Sequence, residues 1–259
     1  MIFTKKVTSL RMLSVAIAAS VAGLTAPLAA QADVTGNIGV YSKYVLRGIT
    51  SGPGTENNGA AVQGGFDYSH ASGFYAGYWG SSLGYTYDGA VAVSNNSVLG
   101  TGFESDLYAG YKGKAGPFSY GVGAIYYTYT GVAESDGAEL ALTAGIGNAT
   151  LGVNYLLQDL WWGNKGDTYV TLGYTQALPS DFSVVGTLMY YLYTEDGKYI
   201  TGSANPDSIS SGFRGVSVGV THPLGKTGGT MGLTLVGGGE NRVGTYQKFM
   251  PVLSLGMTF

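Results

Sequence analysis

Lys248-Phe249-Met250-Pro251-Val252-Leu253-Ser254-Leu255-Gly256-Met257-Thr258-Phe259 ends the chain. Successive side chains of an extended strand point to opposite faces, so Phe249, Leu253, Leu255, Met257 and Phe259 share one face. A last strand with one wholly apolar face, finishing on an aromatic residue, has the form of the signal by which outer-membrane insertion machinery selects its clients. Leu253, Leu255, Met257 and Phe259 are the candidate residues of that signal.

The opposite end of the chain fits the same destination. Lys5, Lys6 and Arg11 precede an apolar run from Met12 to Leu28, and Ala30-Gln31-Ala32 follows. A basic start, an apolar middle and small residues at the cut are the parts of a secretory signal peptide. Residues 1–32 are therefore expected to be removed and residues 33–259 to form the barrel. The signal takes three basic residues with it, which moves the formal charge from -3 to about -6.

Composition narrows the class further. The chain has 259 residues, 44 of them Gly and 21 Tyr, with 11% charged residues, 2 His and no Cys. Soluble domains carry about 25% charged residues. Glycine this frequent disfavours helices, and no Gly-X-Y period suggests collagen. The acidic balance speaks against nucleic acid as a partner. Without Cys there is no thiol chemistry or thiolate metal site, and two His supply no transition-metal cluster.

Between the two ends, apolar residues recur at period two. Ile38, Val40, Tyr44 and Leu46 alternate with Asn37, Lys43 and Arg47. Val62, Phe66 and Tyr68 alternate with Gln63 and Asp67. Phe103, Leu107 and Tyr111 oppose Glu104, Asp106 and Lys112, while Leu151, Val153 and Tyr155 oppose Asn154 and Gln158. Extending the pattern predicts strands near 36–47, 60–69, 74–83, 102–112, 118–129, 138–147, 149–160, 168–178, 182–193, 214–222, 229–237 and 248–259. Most have the length that a tilted strand needs to cross a bilayer. Their connections alternate. Short turns near 70–73, 114–117, 147–148, 179–181 and 223–228 are separated by longer loops near 48–59, 84–101, 130–137, 161–167, 194–213 and 238–247. Short turns on one side and long loops on the other are the pattern of an outer-membrane barrel. The expected fold is all-β: a transmembrane antiparallel β-barrel of about 12 strands, or 10 or 14 if a long loop holds a hairpin.

Twelve strands at ordinary spacing and a tilt of about 40° give a backbone radius near 12 Å, about half of it taken up by side chains. Candidate pore-lining residues are Lys43, Arg47, Gln63, Asp67, Glu104, Asp106, Lys112, Glu139, Asn154 and Gln158. Opposed acids and bases across such a lumen would orient polar solutes. The alternative is that these charges pair with one another and fill a closed barrel, and for Arg47 both readings stand. Inward glycines such as Gly65, Gly77, Gly110 and Gly123 either widen the lumen or ease the curvature of the sheet. Tyr44, Tyr68, Tyr78, Tyr126, Tyr155, Trp161 and Trp162 suit the aromatic girdles at the two membrane interfaces.

Enzyme chemistry has few footholds. Gly80-Ser81-Ser82-Leu83-Gly84 and Gly215-Val216-Ser217-Val218-Gly219 match the Gly-x-Ser-x-Gly nucleophile pattern. That pattern requires a strand, a sharp turn and a helix, and a serine nucleophile needs a base. His70 and His222 fall in or beside short turns, far from Ser82. Gly225-Lys226-Thr227 ends like a phosphate loop but has Val220 where the first glycine belongs.

Three segments carry a family resemblance: Tyr41-Ser42-Lys43-Tyr44-Val45-Leu46-Arg47-Gly48-Ile49-Thr50-Ser51, Ala60-Ala61-Val62-Gln63-Gly64-Gly65-Phe66-Asp67-Tyr68 and Gly73-Phe74-Tyr75-Ala76-Gly77-Tyr78-Trp79. They resemble the TorF family of outer-membrane porins, closely over residues 34–83 and more thinly afterwards, as in Phe103-Glu104-Ser105-Asp106-Leu107-Tyr108-Ala109-Gly110-Tyr111 and the final strand. The resemblance implies a porin-type barrel and brings no substrate or catalytic residue with it. The resulting expectation is a monomeric, non-enzymatic channel without cofactor, passing small hydrophilic solutes. Its other partners would be outer-membrane lipids, lipopolysaccharide and, during biogenesis, the barrel-insertion machinery. A non-conducting structural or adhesive barrel is the alternative, and a lipid-modifying enzyme a more distant one.

Overall fold

The computed structural model describes residues 32–50, 60–83, 102–201 and 209–259. The expected signal peptide, apart from its last residue, lies outside these, as do parts of the loops near 48–59, 84–101 and 194–213.

Twelve strands appear: β1 (Asp33–Tyr41), β2 (Ala61–Ser69), β3 (Phe74–Ser82), β4 (Phe103–Ala115), β5 (Phe118–Thr130), β6 (Gly137–Ile146), β7 (Ala149–Leu156), β8 (Thr168–Ala177), β9 (Ser183–Leu192), β10 (Ser211–Pro223), β11 (Gly229–Gly238) and β12 (Met250–Thr258). Each pairs antiparallel with its neighbours in sequence, and β1 pairs with β12 to close the barrel. Closure leaves no open edge, which is what allows a sheet to stand in hydrocarbon. Around one circuit the registers accumulate a stagger of about 16 residues, consistent with a tilt of about 43° and a backbone radius of about 12 to 13 Å.

The seam runs from Asn37↔Thr258 to Tyr41↔Ser254. Beyond it, Gly36 N–H donates to Phe259 O at 2.8 Å and Phe259 N–H to Gly36 O at 2.9 Å. The Phe259 ring lies against Gly36, where a Cβ would come within 2.5 Å of it. The terminal aromatic is thus part of the closure. Phe259, Leu253, Leu255 and Met257 all face outward and exposed.

The other outward positions follow the expected alternation: Val34, Ile38, Val40, Val62, Phe66, Leu107, Leu142, Leu172 and Leu233 are exposed hydrophobics. Apolar surface on this scale is normal only where lipid replaces water. Turns are tight at one rim. Between β4 and β5 only Gly116-Pro117 remain, and Gly116 has φ 62°. A hairpin turn with positive φ at its first central residue and Pro at its second fits the twist of the strands.

At Gly65, on the inward face of β2, a Cβ would lie 2.0 Å from Tyr78 O and 3.0 Å from Trp79 Cα of β3. Backbone cannot yield as a flexible side chain does. Gly65→Val is expected to cost several kcal/mol by overpacking. On a denaturing gel, the unboiled variant should lose most of the compact, fast-migrating band that the native barrel shows.

Candidate functional site

The first strand is shorter than its alternation predicts. Pairing between β1 and β2 ends at Tyr41↔Ala61. At the next residue the backbone N–H of Ser42 donates to Leu253 O at 2.8 Å, and its Oγ accepts from Leu253 N–H at 2.9 Å. The chain then leaves the wall and residues 42–50 turn into the bore. Lys43, Tyr44 and Arg47 are therefore not on β1. Tyr44 keeps the parity of Ile38 and Val40, but it is buried inside and its hydroxyl donates to Glu104 Oε2 at 2.7 Å. Alternation marks a lipid-facing side chain only while the chain remains in the wall.

At the tip of this segment, Ile49 N–H donates to Leu46 O at 2.9 Å across Arg47 and Gly48, whose φ values are 46° and 78°. Two central residues with positive φ make a type I′ turn, unusual with Arg at its first position. Gly48 fits because a Cβ would press on Arg214 O and Met189 Cε at 3.2 Å each. Val45, 3% exposed, packs among Tyr41, Tyr169, Met189, Tyr191, Val236 and Val252. Those residues come from β1, β8, β9, β11 and β12, so the segment lies against much of the bore's circumference.

Arg47 makes the central contact. Its Nη1 and Nη2 donate to Glu139 Oε1 and Oε2 at 2.8 and 2.6 Å, a bidentate ion pair. It also donates to Tyr191 Oη at 2.9 Å and to Tyr127 Oη at 3.3 Å. The guanidinium lies 4.9 Å from the Tyr169 ring centre and 5.6 Å from that of Trp162. Burial alone would lower its pKa, but the Glu139 carboxylate and the surrounding tyrosines hold it well above the usual arginine value. Glu139, 0% exposed, also accepts from Tyr127 Oη at 2.9 Å and Asn154 Nδ2 at 3.0 Å. A buried pair satisfied on both sides is strong as a unit and costly to break from one side.

A second set of cations extends this centre. Arg214 sits at the bulge where the register shifts between Phe213 and Gly215. The extra residue turns its side chain inward. Its Nε donates to Arg47 O at 2.9 Å and its Nη1 to Tyr193 Oη at 3.0 Å. Arg242, on the loop before β12, pairs with Asp167 and lies 4.5 Å from the Tyr193 ring centre. Tyr191 and Tyr193 stack at 4.6 Å and 6° between these arginines. Alternation could not find Arg214, Arg242 or Asp167, since they lie on a bulge and in loops; Phe213-Arg214-Gly215, a charge amid apolar residues beside a glycine, is the nearest signal.

Of the other candidates, Gln63, Asp67, Glu104, Asp106, Lys112 and Asn154 point inward from β2, β4 and β7, as does Glu139 from β6. Glu104 accepts from Tyr44 and Tyr129, the latter at 2.8 Å. Asp67 accepts from Tyr108, and Lys112 lies 5.6 Å from the Tyr75 ring centre. Gln63 Nε2 reaches Ser81 Oγ at 3.3 Å. Gln158 departs from expectation: β7 ends at Leu156, and Gln158 is exposed in the loop beyond, donating to Asp136 O at 2.9 Å. Trp162 also turns inward, edge-on to Tyr127 at 5.9 Å, so it and Tyr44 leave the girdles while Tyr126, Tyr155 and Trp161 remain exposed.

At Gly77, Gly110 and Gly123 the space that glycine leaves is occupied. The Tyr108 ring lies over Gly77, where a Cβ would meet it at 2.4 Å, and Tyr75 Oη lies against Gly110 and Gly123 at 2.5 and 2.4 Å. Each glycine seats a ring from one or two strands away, as aromatic residues do when they cover sheet glycines.

The serine and histidine candidates stay apart. Ser82 is at the long-loop rim and His70 at the short-turn rim. Ser217 faces inward, whereas His222 faces outward with its ring 4.5 Å from that of Phe182. Electrostatically, Glu104 and Asp106 on β4 and Arg214 on β10 are six strands apart in a ring of twelve, on opposite walls.

The sequence model of a family described as "Bacterial protein of unknown function (Gcw_chp)" matches residues 25–205. The chain belongs to this family. The likeness to the TorF porins remains a resemblance. No curated protein matches the chain in sequence. Among solved structures, the KdgM porin is similar at 9% identity over 87% of this chain and 98% of that one, with a TM-score of 0.52. The outer membrane phospholipase of Salmonella typhi, a dimer with bound calcium, is 14% identical over 88% and 90%, with a TM-score of 0.41. OprD of Pseudomonas aeruginosa is 12% identical over 79% and 62%, with a TM-score of 0.39. This Gcw_chp chain thus shares the barrel fold of the KdgM porin.

Glu139→Ala would leave Arg47 buried without its counter-charge. A loss of about 3 kcal/mol or more in detergent-micelle unfolding is expected, and Arg47→Met with Glu139→Leu should recover most of it.

Proposed function

We propose that this Gcw_chp protein is a monomeric outer-membrane porin that lets small hydrophilic solutes diffuse passively across the membrane. The observation that carries this is the charge arrangement within a closed barrel: carboxylates on β4 face an arginine on the opposite wall at β10. A transverse field of this kind orients dipolar solutes and disfavours apolar ones. Thr143, Thr150, Thr171, Thr187, Ser217 and Thr234 add small hydroxyl-bearing side chains to the inner wall. Such a wall exchanges hydrogen bonds with a passing solute without holding it by charge. In this reading residues 42–50 form the narrowest level of the channel, and Lys43, Arg47, Asp67, Glu104, Asp106, Lys112 and Glu139 tune passage through it.

Export by a cleaved signal over residues 1–32, recognition of the Leu253, Leu255, Met257 and Phe259 face by insertion machinery, and contacts with lipid and lipopolysaccharide belong to the same proposal. One observation favours a second reading, a non-conducting structural barrel: Arg47, Glu139 and their aromatic neighbours fill the bore at the long-loop end. The two differ in one measurement. Purified protein in a planar bilayer should give discrete current steps, and silence at every voltage would favour the structural barrel.

A further inference from the structure

Residues 42–50 fill the bore without belonging to its wall. They depart from β1 beside a paired position, Tyr41↔Ala61; Ser42 makes the last hydrogen bonds of the seam, to Leu253 of β12, and residues 43–50 add no further rung. What holds them inside is a set of side-chain contacts: Tyr44 to Glu104, Arg47 to Glu139, Tyr127 and Tyr191, Arg214 to the Arg47 carbonyl, and Thr50 Oγ1 to Lys248 O at 2.5 Å. Val45 and Tyr44 are sunk in two separate apolar clusters. The tip is also strained, because Arg47 holds φ 46°, where a side chain is disfavoured. Strained residues persist where their surroundings over-determine them, and switch regions are among the places where they cluster.

We propose that residues 42–50 are a gate hinged at the end of β1 and latched by the Arg47–Glu139 ion pair, and that solutes cross when the latch opens. The proposal rests on the porin reading for its solutes but not for its motion. Because the wall hydrogen bonds end at Ser42, which serves as the hinge, residues 43–50 can swing toward the long-loop rim while the barrel stays closed. The latch is bidentate and charged, so neutralising one partner removes more than one hydrogen bond.

The chain has no cysteine, so a single introduced thiol reports on one place. Val45→Cys puts it on the seated face of the gate, and Ser72→Cys, in the exposed turn between β2 and β3, is the control. Labelling with a membrane-impermeant thiol reagent should be slow at Val45→Cys and about tenfold faster when Glu139→Gln is added, while Ser72→Cys labels at one rate in both backgrounds. Equal Val45→Cys rates with and without Glu139→Gln overturn the gate. Heat-modifiable gel mobility verifies that each variant is folded, and Arg47→Lys, which keeps the charge and loses the bidentate geometry, replaces Glu139→Gln if that variant is not. Bilayer recordings separate the two proposals. A longer open time in Glu139→Gln supports the gate; current steps in native protein with no change in labelling or open time leave the porin and sink the gate; faster labelling without current in any variant keeps the moving segment and sinks the porin.

Discussion

A backbone N–H or C=O left unpaired in hydrocarbon costs several kcal/mol, and this constraint shapes the molecule. Every strand must find two neighbours, so the last must return to the first. The return is made by Gly36 and Phe259 exchanging backbone hydrogen bonds while the terminal ring occupies the space that a side chain at residue 36 would take. Once the ladder closes, strand number and stagger fix the radius. The radius in turn sets how much a lumen must be filled. Residues 42–50, the inward tyrosines and the arginines from β10 and the last loop are the filling.

Arg47 is the point on which that filling turns. Sequence left two roles open for this charge, pairing and pore lining, and in the fold it is paired with Glu139. The ion pair stands in the bore itself, with the β4 carboxylates on one side and Arg214 on the other. The aromatic rings around it exclude water, which strengthens the pair and raises the cost of separating it.

The wall was legible in the sequence and the filling was not. Twelve strands stand near their expected places because lipid on one side and a lumen on the other impose a period of two, and the turns carry the residues that tight hairpins need. The inward direction of Gln63, Asp67, Glu104, Asp106, Lys112, Glu139 and Asn154 follows from the same period. The pattern misled where the chain left the wall. Tyr44 and Leu46 continue the parity of β1 for two more steps, although Ser42 has already ended it by using its own hydroxyl as a ladder partner. Gln158 fails for the same reason past the end of β7. Arg214, Arg242 and Asp167 are placed by a bulge and by loop packing, which have no period.

The glycines that seat aromatic rings couple distant parts of the chain. Gly77 and Tyr108, Gly36 and Phe259, and Tyr75 with Gly110 and Gly123 are each two halves of one fitting, with the receiving half reduced to a hydrogen atom. Neither half can change alone: a larger residue at 77 must evict the ring at 108, and a smaller one at 108 leaves a hollow over 77. Among related barrels these positions are therefore expected to vary together, glycine with ring or side chain with none. Such paired variation would trace the strand order without any structure at all.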